Sequence, residues 1–238
     1  HGCSFPVFWH NNNIAILRIF RNFAVVNHLR VVYYNHFNPN ASRMENIKEL
    51  LCKEVGLDPT GKEVDKFLEL AVEIPFSSGE VIIETGVVNR DIYVVKEGII
   101  RYVDMNGDRE RTFAFGLPGT LFMSMYSFWK GDPSYYSIEA CCDSVMLKVK
   151  WKDFWNLVDN NLDVAKWMLN IAYGELWFLE HISSNVRNGN AVKRFLSLWN
   201  HRPEIFNKVS QKIIASYLEI TPEYLSRIKR DVIRGRLK

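Results

Sequence analysis

The stretch SQKIIASYLEITPEYLSRIKR, residues 210–230, decides how the C-terminal part of this 238-residue chain folds. It fits two short helices joined by a tight turn. Ser210 is placed to cap the first, since a serine hydroxyl accepts a hydrogen bond from an otherwise unpaired N–H of the opening turn. Ile214, Ala215 and Leu218 share an inner face, and small Ala215 allows a second helix to cross closely. Thr221 is placed to cap that second helix, expected over about residues 221–232. Pro222 stands at its first position, where a missing N–H costs nothing, and Glu223 meets the positive end of the helix dipole. Leu225 and Ile228 turn inward, leaving Glu223, Tyr224, Ser226, Arg227 and Arg230 on the outer face.

This is a helix-turn-helix pattern, and the charge distribution gives it a polyanion to bind. Residues 187–238 hold 12 Lys and Arg against 4 Asp and Glu, whereas residues 44–186 hold 14 against 23. A basic tail on an acidic body points to nucleic acid, although a merely solvated basic surface has the same composition. On a recognition helix, Arg227 can donate two hydrogen bonds to guanine O6 and N7, and Glu223 can accept from cytosine N4. Tyr224 is the third candidate base contact. Gln211, Lys212, Thr221, Ser226, Lys229 and Arg230 are candidate phosphate contacts. Two plainer readings stay open: Glu223 as a helix-dipole partner only, and Arg227 as one arm of a surface ion pair.

Upstream of the tail, Leu162, Ala165, Leu169, Ala172, Leu176 and Leu179 recur at alternating spacings of three and four residues. That is an a/d seam and predicts a dimerisation helix over residues 160–187. The competing expectation is that the stripe packs on its own β domain. Trp167, Tyr173, Trp177 and Phe178 lie off the seam and could serve that purpose instead. Residues 185–190, with Gly189, read as a hinge into a DNA-binding domain at 188–238.

Before the seam the apolar period is two. Val81–Ile83, Ile92–Val95, Ile99–Val103, Arg111–Phe115 and Val145–Leu147 are short segments rich in branched and aromatic residues, separated by glycine-containing turns. Asn106-Gly107 between two such segments is a hairpin signal, because a type I′ turn needs positive φ at both central positions. Helices are expected at residues 45–55 and 60–72. The fold class is therefore α+β: an antiparallel β-roll or jelly roll with flanking helices over residues 44–159, the long helix, and an all-α helix-turn-helix domain.

The first 43 residues contain no Asp or Glu, and Arg18, Arg21, His28 and Arg30 interrupt their apolar runs. A transmembrane helix needs about 20 uninterrupted apolar residues, and no compact apolar run ends in a cleavage site. This segment is expected to be an upstream or non-native extension, with no role at a membrane. The four cysteines include no Cys-x-x-Cys pair, which leaves disulfide scaffolds, zinc sites and iron–sulfur clusters without support and fits a reduced cytoplasmic setting. The six histidines are scattered, with His181 read as a helix-surface residue. No nucleophile elbow, phosphate-binding glycine loop or strand-borne His/Glu cluster is present, so neither a catalytic residue nor a metal ligand is assigned and no enzyme is expected.

The tail resembles the DNA-binding end of Crp/Fnr-type bacterial regulators, whose second helix commonly carries Thr/Ser-x-Glu-x-x-Ser/Gly-Arg, here Thr221, Glu223, Ser226 and Arg227. The resemblance covers roughly residues 45–238. It implies a cyclic-nucleotide-binding-like β-roll, a homodimer reading a palindromic operator in double-stranded DNA, and RNA polymerase as a further partner. Three departures matter. Glu219 stands where the family's inter-helix turn usually has Gly, so it must adopt a less comfortable backbone conformation. The sequence stops at Lys238, soon after the recognition helix, whereas many relatives carry a β-hairpin wing there. Relatives that bind a cyclic nucleotide hold its ribose with Gly-Glu and its phosphate with Arg-Ser; here the corresponding stretches are Gly119-Thr120-Leu121 and residues 133–140, the latter including Ser134 and Tyr135. With the acid and the phosphate-clamping Arg both missing, no cofactor is expected. Gly119, Thr120, Leu121, Ser134 and Tyr135 remain the candidate effector pocket. Met123, Met125, Tyr126, Phe128, Tyr135 and Tyr136 could line a pocket for another ligand or simply be core. The alternative function is a ligand-binding β-roll whose basic helical tail docks a protein partner.

Overall fold

The computed structural model describes residues 47–55, 61–106, 109–188 and 190–236. The chain divides into His1–Asn38 and Pro39–Lys238, and every described residue belongs to the second unit. The expected extension at residues 1–43 lies outside the described residues.

Two helices, α1 (Ile47–Val55) and α2 (Lys62–Glu69), lead into eight strands: β1 (Val72–Phe76), β2 (Val81–Ile83), β3 (Ile92–Glu97), β4 (Ile100–Asn106), β5 (Arg109–Gly116), β6 (Leu121–Phe122), β7 (Ser137–Ala140) and β8 (Ser144–Val149). Helix α3 (Met125–Lys130) separates β6 from β7. The strands form two antiparallel sheets, ordered β1-β8-β3-β6 and β2-β7-β4-β5. Strand β3 shows why its sequence has no polar alternation until Lys96. Tyr93 and Val95 face the second sheet, packing with Ile100, Tyr102, Phe122 and Ile138, while Ile92 and Val94 face the helices. Buried on both sides, the strand reads as a continuous apolar run.

Helices α4 (Trp151–Asn160) and α5 (Leu162–Asn188) complete the helical layer against the first sheet. Phe67, Phe154 and Trp167 pack edge to face beneath them, with ring centroids 4.9–6.4 Å apart. The expected helix at 60–72 is shorter, because residues from Val72 onward pair with β8. Strands β4 and β5 pair antiparallel as predicted, with Asn106 opposite Arg109 as the last described pair. Gly98, between β3 and β4, has φ +95°, and a Cβ there would lie 2.0 Å from the Ser144 hydroxyl. Both constraints demand glycine.

Of the hinge expected at residues 185–190, residues 185–188 are helical, since α5 continues through Asn188, and Gly189 lies outside the described residues. Asn190 then caps α6 (Ala191–His201) by accepting from the Lys193 N–H at 2.9 Å. Helices α7 (Ile205–Lys208), α8 (Gln211–Tyr217) and α9 (Pro222–Ile233) follow. Phe195, Leu198, Ile205, Ile214, Ala215, Leu218, Leu225 and Ile228 are buried among them, and this core is continuous with Ile99, Leu117 and Cys141 of the β-roll.

Candidate nucleic-acid interface

The helix pair forms as its capping residues require. Ser210 accepts from the Ile213 N–H and Thr221 from the Tyr224 N–H, at 3.4 and 3.3 Å, and Pro222 opens α9. Between the helices the Ile220 N–H reaches the Ala215 carbonyl and the Glu219 N–H the Ser216 carbonyl, the two bonds of a Schellman turn. Such a turn needs a left-handed residue. Glu219 occupies that position with φ +54°, among the described residues the only non-glycine at positive φ, as its replacement of the usual Gly implied. The strain costs about 1 kcal/mol. Losing the cap of α9 costs a similar amount: Thr221→Ala is expected to lower stability by about 1 kcal/mol, read from the denaturant midpoint.

Side chains on α9 separate into two groups. Leu225 and Ile228 are buried, whereas Glu223, Ser226, Arg227 and Arg230 are exposed on the other side. The Glu223 carboxyl is held below the usual glutamate range by its own N–H and by the Thr221 hydroxyl, so it is an ionised acceptor at the helix N-terminus. Tyr224 is half-buried against the helical core, and the Arg227 guanidinium stacks 4.6 Å from its ring centroid. Of the three candidate base readers, Glu223 and Arg227 thus stand free of the core, and Tyr224 forms a platform beneath one of them.

The candidate phosphate contacts are less uniform. Gln211 and Lys212 are exposed on the first turn of α8. The Ser226 hydroxyl lies 3.2 Å from the Gln211 side-chain carbonyl and 3.0 Å from the Pro222 carbonyl, so it ties the two helices together. Arg230 is exposed, but Lys229 is half-buried, with its ammonium 5.8 and 6.0 Å from the Trp199 and Phe206 rings. Sequence periodicity could not reveal this, because the two rings come from α6 and α7.

On α5, Leu162, Leu169 and Leu176 are 71, 53 and 64% exposed, while Val164, Trp167 and Ile171 pack against the β-roll. Ala165 and Ala172 are partly buried between these faces, and the side chain of Leu179 lies outside the described residues. The three leucines of the seam therefore point away from the β domain, whereas Ala165 and Ala172 border it. Trp167 packs on that domain, as expected of an off-seam aromatic.

The candidate effector residues sit on two segments, the turn from β5 into β6 and the stretch before β7. Gly119 and Thr120 make the turn from β5 to β6, with Gly119 against the Leu50 backbone of α1 and the Thr120 hydroxyl accepting from the Leu117 N–H. Leu121 is buried in β6, paired with Val94. Ser134 is buried elsewhere: its hydroxyl donates to the Tyr136 carbonyl, and its backbone pairs with Gly86 and Val87. Tyr135 is exposed beside Tyr126. Of the alternative lining, Tyr136 donates to the Met123 carbonyl and packs with Tyr102 and Phe113. Met123, Met125 and Phe128 instead border a crevice of about 10 Å³ that also touches Trp129, Met168 and Ile171, too small for more than a single water. Among the described residues no group of three or more His, Cys, Asp or Glu could hold a metal ion, and no helix is long and apolar enough to cross a membrane.

Residues 73–161 match the family model of the cyclic nucleotide-binding domain. Solved structures sharing the fold include FixK2 from Bradyrhizobium japonicum, with 22% identity over 69% of this chain and 86% of that one, at a TM-score of 0.57. The c-di-GMP-responsive global regulator CLP of Xanthomonas campestris is 14% identical over 74% of this chain and 92% of its own, at 0.56. A CooA variant from Carboxydothermus hydrogenoformans is 18% identical over 78% and 84%, at 0.53. No curated protein matches the chain. These likenesses show a shared fold, and the family match places a cyclic nucleotide-binding domain within it at residues 73–161.

Proposed function

We propose that the chain is a sequence-specific transcription regulator that binds double-stranded DNA as a homodimer. Its α9 enters the major groove, with Glu223 and Arg227 reading base edges and Gln211, Lys212, Thr221 and Arg230 at the phosphates. The observation that carries this reading is the exposed Glu223–Arg227–Arg230 face of a doubly capped helix in a basic segment. Tyr224 supports Arg227 from below, and Ser226 fixes α8 against α9.

Two copies pair through the exposed leucines of α5. Leu162, Leu169 and Leu176 repeat every seven residues, the period at which helices supercoil about one another. The operator is then a palindrome with half-sites about one helical turn apart, and RNA polymerase is the further partner at the promoter. Cys52, Cys141 and Cys142 are free thiols, in keeping with a cytoplasmic location.

The β-roll does not take a cyclic nucleotide in this reading. Residues 133–140 contain no Arg to meet an ionised phosphate, and the Ser134 hydroxyl is already engaged by backbone. The roll acts as scaffold or as sensor of some other signal.

A salt titration of binding to random-sequence duplex DNA tests the reading. Each phosphate neutralised by Lys or Arg contributes a slope of about −0.9 in log affinity against log salt, so Lys212 and Arg230 of two protomers give a slope of about −3.6. No measurable affinity at low salt would instead favour the β-roll module whose basic tail docks a protein.

A further inference from the structure

The first helix of the DNA-reading pair is fastened to the free edge of the β-roll. Strand β5 ends its sheet, so alternate N–H and C=O groups along its outer edge have no strand partner. The Ser216 hydroxyl supplies one. It accepts from the Thr112 N–H at 3.0 Å and lies 3.3 Å from the Glu110 carbonyl, to which it donates. One side-chain group thus makes both bonds that a neighbouring strand would make to residues two apart on an edge. Thr112 is only 1% exposed, so its N–H has no ready replacement partner in water.

A second link lies one turn further on. Arg111 is clamped by the carboxylate of Asp104, directly opposite on β4, through two bonds of 2.9 and 2.5 Å. Its remaining terminal nitrogen, Nη1, reaches Glu219 at 3.9 Å. Glu219 is the strained residue of the inter-helix turn, where a glycine would sit without cost but could not reach Arg111. Below both polar links, the Phe115 and Tyr217 rings lie 5.0 Å apart, and Ile99, Leu117 and Cys141 join the helical core. Burial pushes the Cys141 thiol up to about 12, so it behaves as an apolar side chain in this seam.

We propose that Asp104, Arg111 and the β5 edge form a latch on Ser216 and Glu219, through which the β-roll sets the orientation of the helix pair. The latch leaves Glu223, Arg227 and Arg230 of α9 uncovered. It is therefore a preorganising contact rather than an inhibitory one. Two helix pairs held at fixed orientation meet two half-sites with less entropy lost than two freely swinging ones. A rearrangement of the β4–β5 hairpin reaches the DNA-reading helices through four named side chains.

This inference rests on the DNA-binding reading only for its affinity consequence, and hydrogen exchange tests it without DNA. In the full-length chain, Ser216→Ala is expected to speed exchange at the Thr112 amide about fivefold, the equivalent of one net hydrogen bond, with the protein still folded by near-ultraviolet circular dichroism. Ser216→Thr, which keeps the hydroxyl, restores slow exchange. Arg111→Gln is expected to speed exchange at the same amide and at Glu219. Equal Thr112 exchange in wild type, Ser216→Ala and Arg111→Gln overturns the latch. If wild type also fails to bind duplex DNA, the functional reading falls, while the exchange result still decides the latch.

Discussion

Leu169→Asp is expected to dissociate the proposed dimer and to leave the monomer folded. Leu169 is 53% exposed on a helix whose opposite face is anchored by Val164, Trp167 and Ile171. The substitution therefore removes little from the chain's own core, and the melting temperature of the isolated protomer stays within the range typical of surface changes. In a pair of α5 helices the same leucine is buried twice, once from each copy. Burying one leucine side chain contributes roughly 1.5–3 kcal/mol, so losing two weakens association by roughly 10²–10⁴-fold, before counting repulsion between the new carboxylates. Sedimentation equilibrium reads the change directly. Operator affinity falls with it, because each helix pair then binds its half-site alone. A sedimentation profile identical to wild type would place the dimer contact on another surface.

Arg227→Ala is expected to cost roughly 1–3 kcal/mol in operator affinity and to relax preference at one base pair in each half-site. The two consequences must appear together. Losing a phosphate contact would weaken all sequences alike and flatten the salt slope; losing a base contact changes which sequence is preferred. Arg227 is exposed and its guanidinium is stacked only on Tyr224, so removing it leaves no buried group without a partner. Competition between operators altered one base pair at a time distinguishes these outcomes. Unchanged affinity and unchanged preference would mean that α9 does not face the bases through Arg227.

The helix pair was legible in the sequence because its boundaries are set by local chemistry. Ser210 and Thr221 bond to N–H groups three residues away, and Pro222 fixes its own φ. Strand β3 was legible for a different reason, since burial on both faces leaves an unbroken apolar run. Helix α3 was not legible: six residues are too few to show a period, and its start depends on Ser124 capping Ser127. Strand β7, Ser-Ile-Glu-Ala, buries only Ile138 and Ala140, too little to stand out from a loop. Lys229 was expected at a phosphate, and only the folded chain places it by the Trp199 and Phe206 rings. The Ser216–Thr112 contact spans 104 positions, beyond any local pattern. Glu219 lay between these extremes. Its backbone strain followed from the missing glycine, but the arginine beyond it did not.

The effector region was the least legible. Motif correspondence grouped Gly119, Thr120 and Leu121 with Ser134 and Tyr135; the first three build a turn and a strand, Ser134 pairs with the β2–β3 connection and Tyr135 lies beside Tyr126. Motif spacing locates a pocket only where the motif residues themselves are retained. With the acid and the Arg both replaced, what these positions show is the turn, the strand and the backbone bonds they make.

Selection of bound sequences from a random duplex pool bears most directly on the central claim. Full-length protein is expected to enrich an inverted repeat whose half-sites lie about one helical turn apart, each with a G·C pair whose replacement Arg227→Ala tolerates. A pool that stays random after repeated rounds, or one that converges on a single unpaired half-site, would contradict a dimer reading DNA through α9.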